Sequence, residues 1–319
     1  MTPDEYVNDV LLGTGVVATN VVFTGSPVQI GHITGFDPAD FPIESGLILS
    51  TEVANNPANV DDGCMDAFIE DNLEVSGDAD LLTIANSVPP LIGQNFNVGS
   101  VNDVCAIEFD FIATGDTVRF NYVFGSDEYL AWINSQYNDI FGFFLSGPGI
   151  TGPYAGNAIN LAEVPGSDPQ LAITISSVNN VTNAAYYIDN PGNDVLCQNG
   201  FTVKLTAESE VECGETYHIR LAIADGSDTA LESIVILESG SFESNSVVEV
   251  DLSIDVGGPD ANLIYEDCGE ALLTFTRPLE TIIDIEEMVI IDYSASTATN
   301  GVDFTMLPDT VFFPPFVSV

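Results

Sequence analysis

The chain has 319 residues, 45% of them hydrophobic, with 49 acids against 4 bases and a formal net charge of -45. That is enough apolar surface for a sizeable core, which excludes a disordered body, while four bases (Arg119, Lys204, Arg220, Arg277) exclude a phosphate-backbone ligand and disfavour anionic membranes. Carboxylates at this density repel unless screened or bound by cations, so a saline or calcium-containing medium is expected; simple solubility is the plainer reading of the same charge.

In chain order, Thr2-Pro3-Asp4-Glu5 reads as a capping box with Pro at the first helical position. Tyr6, Val7, Val10 and Leu11 then share one face of a short helix that Gly13 ends. Strands are expected at 15–24 and 46–51, and a short helix at 77–82 among long loops. From Cys105 the alternation is clear. Ile107, Phe109 and Phe111 point one way, Glu108 and Asp110 the other. Val118, Phe120, Tyr122 and Phe124 repeat the pattern as far as Gly125. A loop rich in acids and aromatics follows, then a second apolar strand, Ile140–Leu145, broken by Gly147-Pro148-Gly149. Further strands are expected at 172–178, 201–207, 217–224 and 233–238, with Gly, Pro and Asn in the turns. Many strands, long loops and few helices read as a mainly β fold: a jelly-roll-like β-sandwich with long loops and a short N-terminal helix.

After Phe242 the polar run Glu243-Ser244-Asn245-Ser246 marks a junction, and a new alternation begins at Val248. No uninterrupted apolar stretch approaches the ~18 residues of a membrane span. No basic or apolar leader follows Met1, so the chain is expected to be a fragment that starts and stops within a longer protein.

YVFGSDEY, the following YNDIFGFFLSGPGI and the flanking VCAIEFDFIATGDTVRF and TYHIRLAIADGSDTALESIVILESGSF resemble the choice-of-anchor L domain of bacterial surface proteins. The resemblance covers about Thr2 to Phe242 and sets a first domain at 1–243. It implies a module of large secreted or cell-surface proteins, mainly of Bacteroidota-like bacteria, linked to other domains of a longer chain. It carries no established biochemical activity. SASTATNGVDFTMLPDTVFFPP resembles a Calx-beta repeat, which implies a partial immunoglobulin-like β-sandwich at 247–319; Phe316 departs from the glycine expected after the Pro pair.

Three acidic clusters are candidate calcium sites: Asp127, Glu128 and Asp139; Asp225, Asp228 and Glu232; and Glu266, Asp267 and Glu270. Calcium takes six to eight oxygen ligands, and closely spaced Asp in a loop opened by Gly226 suit it. The competing reading of Asp127 and Glu128 is that Ser126 caps a short helix whose first turn favours acids. Asp127 or Glu128 with Asp225 or Asp228 would be the carboxylate pair of a glycosidase. Tyr129, Trp132 and Tyr137 are candidates for stacking on an extracellular glycan, against the alternative that Trp132 covers the sandwich edge. His218 reads as a structural histidine and His32 as part of a Gly-flanked turn. An extracellular chain without a CxxC pair favours disulfides over zinc. Proximity in sequence pairs Cys64 with Cys105 and Cys197 with Cys213, leaving Cys268 over. The reading is a non-enzymatic, calcium-stabilised module for adhesion or structure, partnered by a glycan or surface protein. The alternative is a carbohydrate-active domain.

Overall fold

The computed structural model describes residues 1–13, 16–37, 39–54, 73, 75–244, 249–254, 271–276, 287–291, 299, 301–302 and 305–314. By its contacts the chain divides into two compact units, Met1–Asn245 and Ser246–Val319.

The first unit opens as the sequence dictates. Thr2 caps α1 (Pro3–Glu5): its hydroxyl accepts from the Glu5 amide at 3.3 Å, and its own amide donates to the Glu5 carboxylate at 2.6 Å. A π-helical turn, Tyr6–Leu11, continues it and buries Val7, Val10 and Leu11. Twelve strands follow, all paired antiparallel. They are β1 (Ala18–Thr24), β2 (Ile30–Thr34), β3 (Ser45–Ser50), β4 (Val101–Ile112), β5 (Thr117–Ser126), β6 (Ile140–Ser146), β7 (Ile159–Asn160), β8 (Tyr187–Asp189), β9 (Gly200–Thr202), β10 (Leu205–Glu210), β11 (Thr216–Gly226) and β12 (Ser233–Glu238). One sheet has the order β1-β4-β11-β6-β7. The other runs β2-β3-β12-β5-β9-β8, and β10 shares with β9 the same edge of β5.

The alternation read in β4, β5 and β6 makes the core of this sandwich. Phe120 on β5 meets Phe143 on β6 at 5.0 Å, Tyr122 meets Phe143 at 4.9 Å, and Phe124 meets Phe141 at 4.9 Å. Phe242, just past β12, completes the cluster 5.1 to 5.4 Å from Phe109, Phe111 and Phe120. It is held in a parallel bridge with Leu12: its amide donates to the Leu11 carbonyl at 3.2 Å and its carbonyl accepts from Gly13 at 2.9 Å.

The helix expected at 77–82 is longer, α2 (Ala79–Leu91), and Asp78 caps it through bonds to the Asp80 and Leu81 amides. It packs against β6, where a side chain on Gly142 would lie 2.8 Å from Ile84. The strand expected at 172–178 is instead two isolated bridges, at Ala172 and Thr174, followed by a turn. The one expected at 201–207 is split between β9 and β10. His32 lies within β2 opposite Leu47, not in a turn.

In the second unit, β13 (Glu249–Ile254) pairs with β14 (Ala271–Thr276), and β15 (Glu287–Ile290) with β16 (Thr310–Phe313). The segment that resembles Calx-beta lies partly outside the described residues, as do Cys64, Cys268, Glu266, Asp267 and Glu270.

Candidate functional site

Two ladders bring distant acids together. β6 pairs with β11 so that Ile140 faces Ala224, which sets Asp139 beside the end of β11 and Asp225. β5 pairs with β12 so that Ser126 faces Ser233, which sets Asp127 and Glu128 beside the start of β12. The sequence clusters 127–139 and 225–232 therefore meet at one end of the sandwich.

The carboxyls there are buried: Glu128 is 1% exposed, Asp139 and Asp225 0%. Asp139 is well held. The Gly226 amide donates to its Oδ1 at 2.9 Å and the Ser233 hydroxyl to its Oδ2 at 2.6 Å. Burial pushes Asp139 up to about 7 against those two donors. Burial also raises Glu128, and the charges of Asp139, Asp225 and Asp228 raise it further. Asp225 is raised well above the carboxylate range by burial and then by Asp139, while the nearby Thr51 hydroxyl acts in the opposite sense without meeting hydrogen-bond geometry. Both oxygens of Asp225, Oε2 of Glu128 and Oδ1 of Asp228 accept no hydrogen bond. No basic side chain is among the groups acting on these four. Among the described bases, Lys204 pairs with Glu238, Arg220 with Asp78 and Arg119 with Glu243.

Two of the six candidate ligands stand aside. The Glu232 carboxylate accepts from Ser50 and Gln198, each at 2.7 Å. Asp127 is 5% exposed and pushed up to about 7 by burial, and its amide donates to the Glu232 carbonyl. The Ser126 hydroxyl does accept from the Glu128 amide at 3.0 Å, but the segment it caps is a series of turns, not a helix. Among the described residues no three Asp, Glu, His or Cys side chains converge at metal-ligand spacing.

Sequence reasoning missed Asp103 and Glu52, both buried and both acting on Asp225. Asp103 did carry a signal. In the sequence it continues the alternate-residue spacing of Val101, Cys105 and Ile107, where an apolar residue is expected; in the structure it takes a left-handed φ of 47° where the β4–β11 register shifts. Asp225 shows the same anomaly on β11, in phase with Tyr217, Ile219, Leu221 and Ile223.

The model of the choice-of-anchor L domain family matches residues 1–243. The chain belongs to that family. No curated protein and no solved structure matches it. Choice-of-anchor domains are surface-associated bacterial modules and are not known as enzymes. No helix among the described residues is long and apolar enough to cross a membrane.

Within the choice-of-anchor L domain the three candidate aromatics separate. Tyr129 is buried against Tyr187, with ring centres 4.9 Å apart, so it offers no face to a sugar. Trp132 is 43% exposed and meets Tyr137 edge-on at 5.1 Å. His218 lies between Asp110 at 2.7 Å and Glu108 at 3.5 Å, in a structural setting. The expected disulfides do not form, because Cys105 and Cys213 are free thiols. Cys105 lies inside the core, away from solvent, and Cys213 sits exposed. Cys197 is disulfide-bonded, though not to Cys213.

Proposed function

We propose that this chain is a non-enzymatic module of a large bacterial cell-surface or secreted protein, with an adhesive or structural role and calcium as a stabiliser. Its partners would be an extracellular glycan or another surface protein, together with the further domains of its own chain, of which 247–319 would be a Calx-beta-like repeat. Family membership over 1–243 is the observation that carries this reading. Burial supports the non-enzymatic part. Asp127, Glu128 and Asp225 are 5%, 1% and 0% exposed, so the pairing a glycosidase needs is closed to a polymer.

A second reading, a carbohydrate-binding domain, is favoured by one observation, the exposed edge-on pair Trp132 and Tyr137.

The test is location and adhesion. Antibodies against residues 1–245 should label intact, unpermeabilised cells of the native host, and beads coated with this unit should retain host-surface polysaccharide or protein. Labelling only after lysis would overturn the reading. Retention of polysaccharide that Trp132→Ala abolishes would favour the second one.

A further inference from the structure

Lys204 is the only lysine of the chain, and three hydrogen bonds tie it to groups that can react with it. Its Nζ donates to Glu238 Oε1 at 3.1 Å, and the Asn121 Nδ2 donates to Glu238 Oε2 at 2.7 Å. One carboxylate thus holds an amine and a carboxamide. The Thr206 hydroxyl donates to Asn121 Oδ1 at 2.8 Å and polarises the amide carbonyl. The ladders dictate this meeting. Asn121 on β5 pairs with Thr206 on β10, and on its other side it stands one step beyond the Leu237–Tyr122 pair, opposite Glu238. Lys204 lies two residues before Thr206, on the diagonal of Asn121, a spacing that long side chains bridge. β10 and β12 flank β5, so the lysine stem reaches Glu238 by crossing over β5. The Ser241 hydroxyl fixes the other two residues: it donates to the Glu238 carbonyl at 2.8 Å and accepts from the Asn121 amide at 3.1 Å. Val123 and Ile236, next along the same face, are buried in a smaller core, so the amine stands at the margin of an apolar layer. An ion pair alone would need neither the carboxamide nor Thr206.

We propose that Lys204 and Asn121 condense into a covalent side-chain amide, with Glu238 as the proton carrier and Thr206 as the support for the carbonyl oxygen. Glu238 takes one proton from the Lys204 ammonium. The freed Nζ electron pair attacks Asn121 Cγ, a C–N bond forms, and the carbonyl pair moves onto Oδ1, where the Thr206 hydroxyl stabilises it. The carbonyl then re-forms as the Cγ–Nδ2 bond breaks. Glu238 gives its proton to Nδ2, which leaves as ammonia; the ammonia takes up the second Nζ proton and departs as ammonium. Nothing is oxidised or reduced, and no co-reactant is needed. Exchange of one amide for another is slow in water, but this one occurs once per molecule. Groups held in line within one molecule reach effective molarities of roughly 10⁵–10⁸ M. The Lys204 and Glu238 side chains are 39% and 24% exposed, open enough for the ammonia to escape so that the step does not reverse. The product would staple β10, which pairs with β5 alone among the described strands, to the middle of its sheet. The inference goes beyond the surface-module reading and does not rest on it.

The experiment is the intact mass of the full chain, held folded at neutral pH for a prolonged incubation and then reduced and denatured. The wild type should be lighter than its sequence by one ammonia. Fragmentation of a protease digest should find the segment holding Lys204 joined to the segment holding Asn121. Lys204→Arg and Glu238→Gln, both at partly exposed positions, should each restore the full mass while circular dichroism shows the native β signal. A wild-type mass equal to that of the sequence overturns the proposal, and this readout needs no variant to fold. A loss of ammonia that persists in Lys204→Arg is an asparagine cyclising on its own backbone and overturns it too. A loss that persists in Glu238→Gln overturns the role given to Glu238. None of these readouts depends on location or adhesion, so the surface-module reading can fail without this one, and the reverse.

Discussion

Arg119 and Glu243 exchange both backbone hydrogen bonds at 2.9 Å, and the guanidinium closes on the carboxylate at 3.3 Å. The next residue, Ser244, is buried and bonds Thr114 through its hydroxyl and its carbonyl. The polar run after Phe242 thus begins as a stitch along β5. Phe242 sits directly before it, among Phe109, Phe111 and Phe120. Phe242→Ala is expected to cost about 3–5 kcal/mol in denaturant unfolding of the 1–245 unit, the usual figure for emptying a packed aromatic site. A loss below ~1 kcal/mol would mean the end of the domain is not part of its core.

Gly226 ends β11 under tight constraint. A Cβ there would lie 2.8 to 3.0 Å from the backbone of Asn138, which cannot turn aside as a side chain can. Its amide also holds Asp139. Gly226→Ala is expected to lower stability by about 1–3 kcal/mol, measured by urea titration. Wild-type stability in the variant would show that the loop adjusts freely.

Glu163 provides a pH test away from the carboxylate cluster. Burial pushes it up to about 7 from an ordinary 4.5. The folded chain then holds a proton that the unfolded chain releases first. Its contribution to stability is complete below pH ~4.5, is lost as pH rises through about 7, and is absent above. Glu163→Gln should therefore flatten the melting temperature between pH 5 and pH 8 relative to wild type and raise it at pH 8. Parallel pH profiles would remove Glu163 from that account.

The free thiols differ in access. Cys213 is exposed, whereas Cys105 is 0% exposed and burial pushes its thiol far above the usual range. Titration with a disulfide reagent should find Cys213 in the native chain and Cys105 only after denaturation. Native reaction at both would contradict the packing of β4.

Much of the sandwich was legible because β4, β5, β6, β11 and β12 alternate cleanly, and alternation is a local signal. Three features were not. α2 runs on past the expected end at Leu82 and through Pro89-Pro90, because both prolines fall in its last turn, and Asn86 bonds across to Val98. Residues 172–178 have strand-like composition, yet the Ser177 hydroxyl bonds the Ala172 carbonyl at 2.7 Å and accepts from the Thr174 amide at 2.8 Å, so side chains displace the ladder. The cysteine pairing failed because nearness in sequence says nothing about the strand face on which a cysteine lies. For the site, the acids themselves were visible. Their meeting was not, since it depends on which strands pair, a non-local fact. The phase of Asp103 and Asp225 was the one local trace of it.

The parallel bridge between Leu12 and Phe242 also has a mechanical side. The chain enters the domain on one of these segments and leaves it on the other, and both run in the same direction. A pull on the two ends therefore drags the segments oppositely along a shared axis. Their hydrogen bonds, with the one from Gly240 to Val10 at 2.8 Å, are loaded together in shear and are not opened one by one like a zipper. Tension carried along a tether would load this short joint together with the stitch of Glu243 and Ser244 onto Arg119 and Thr114.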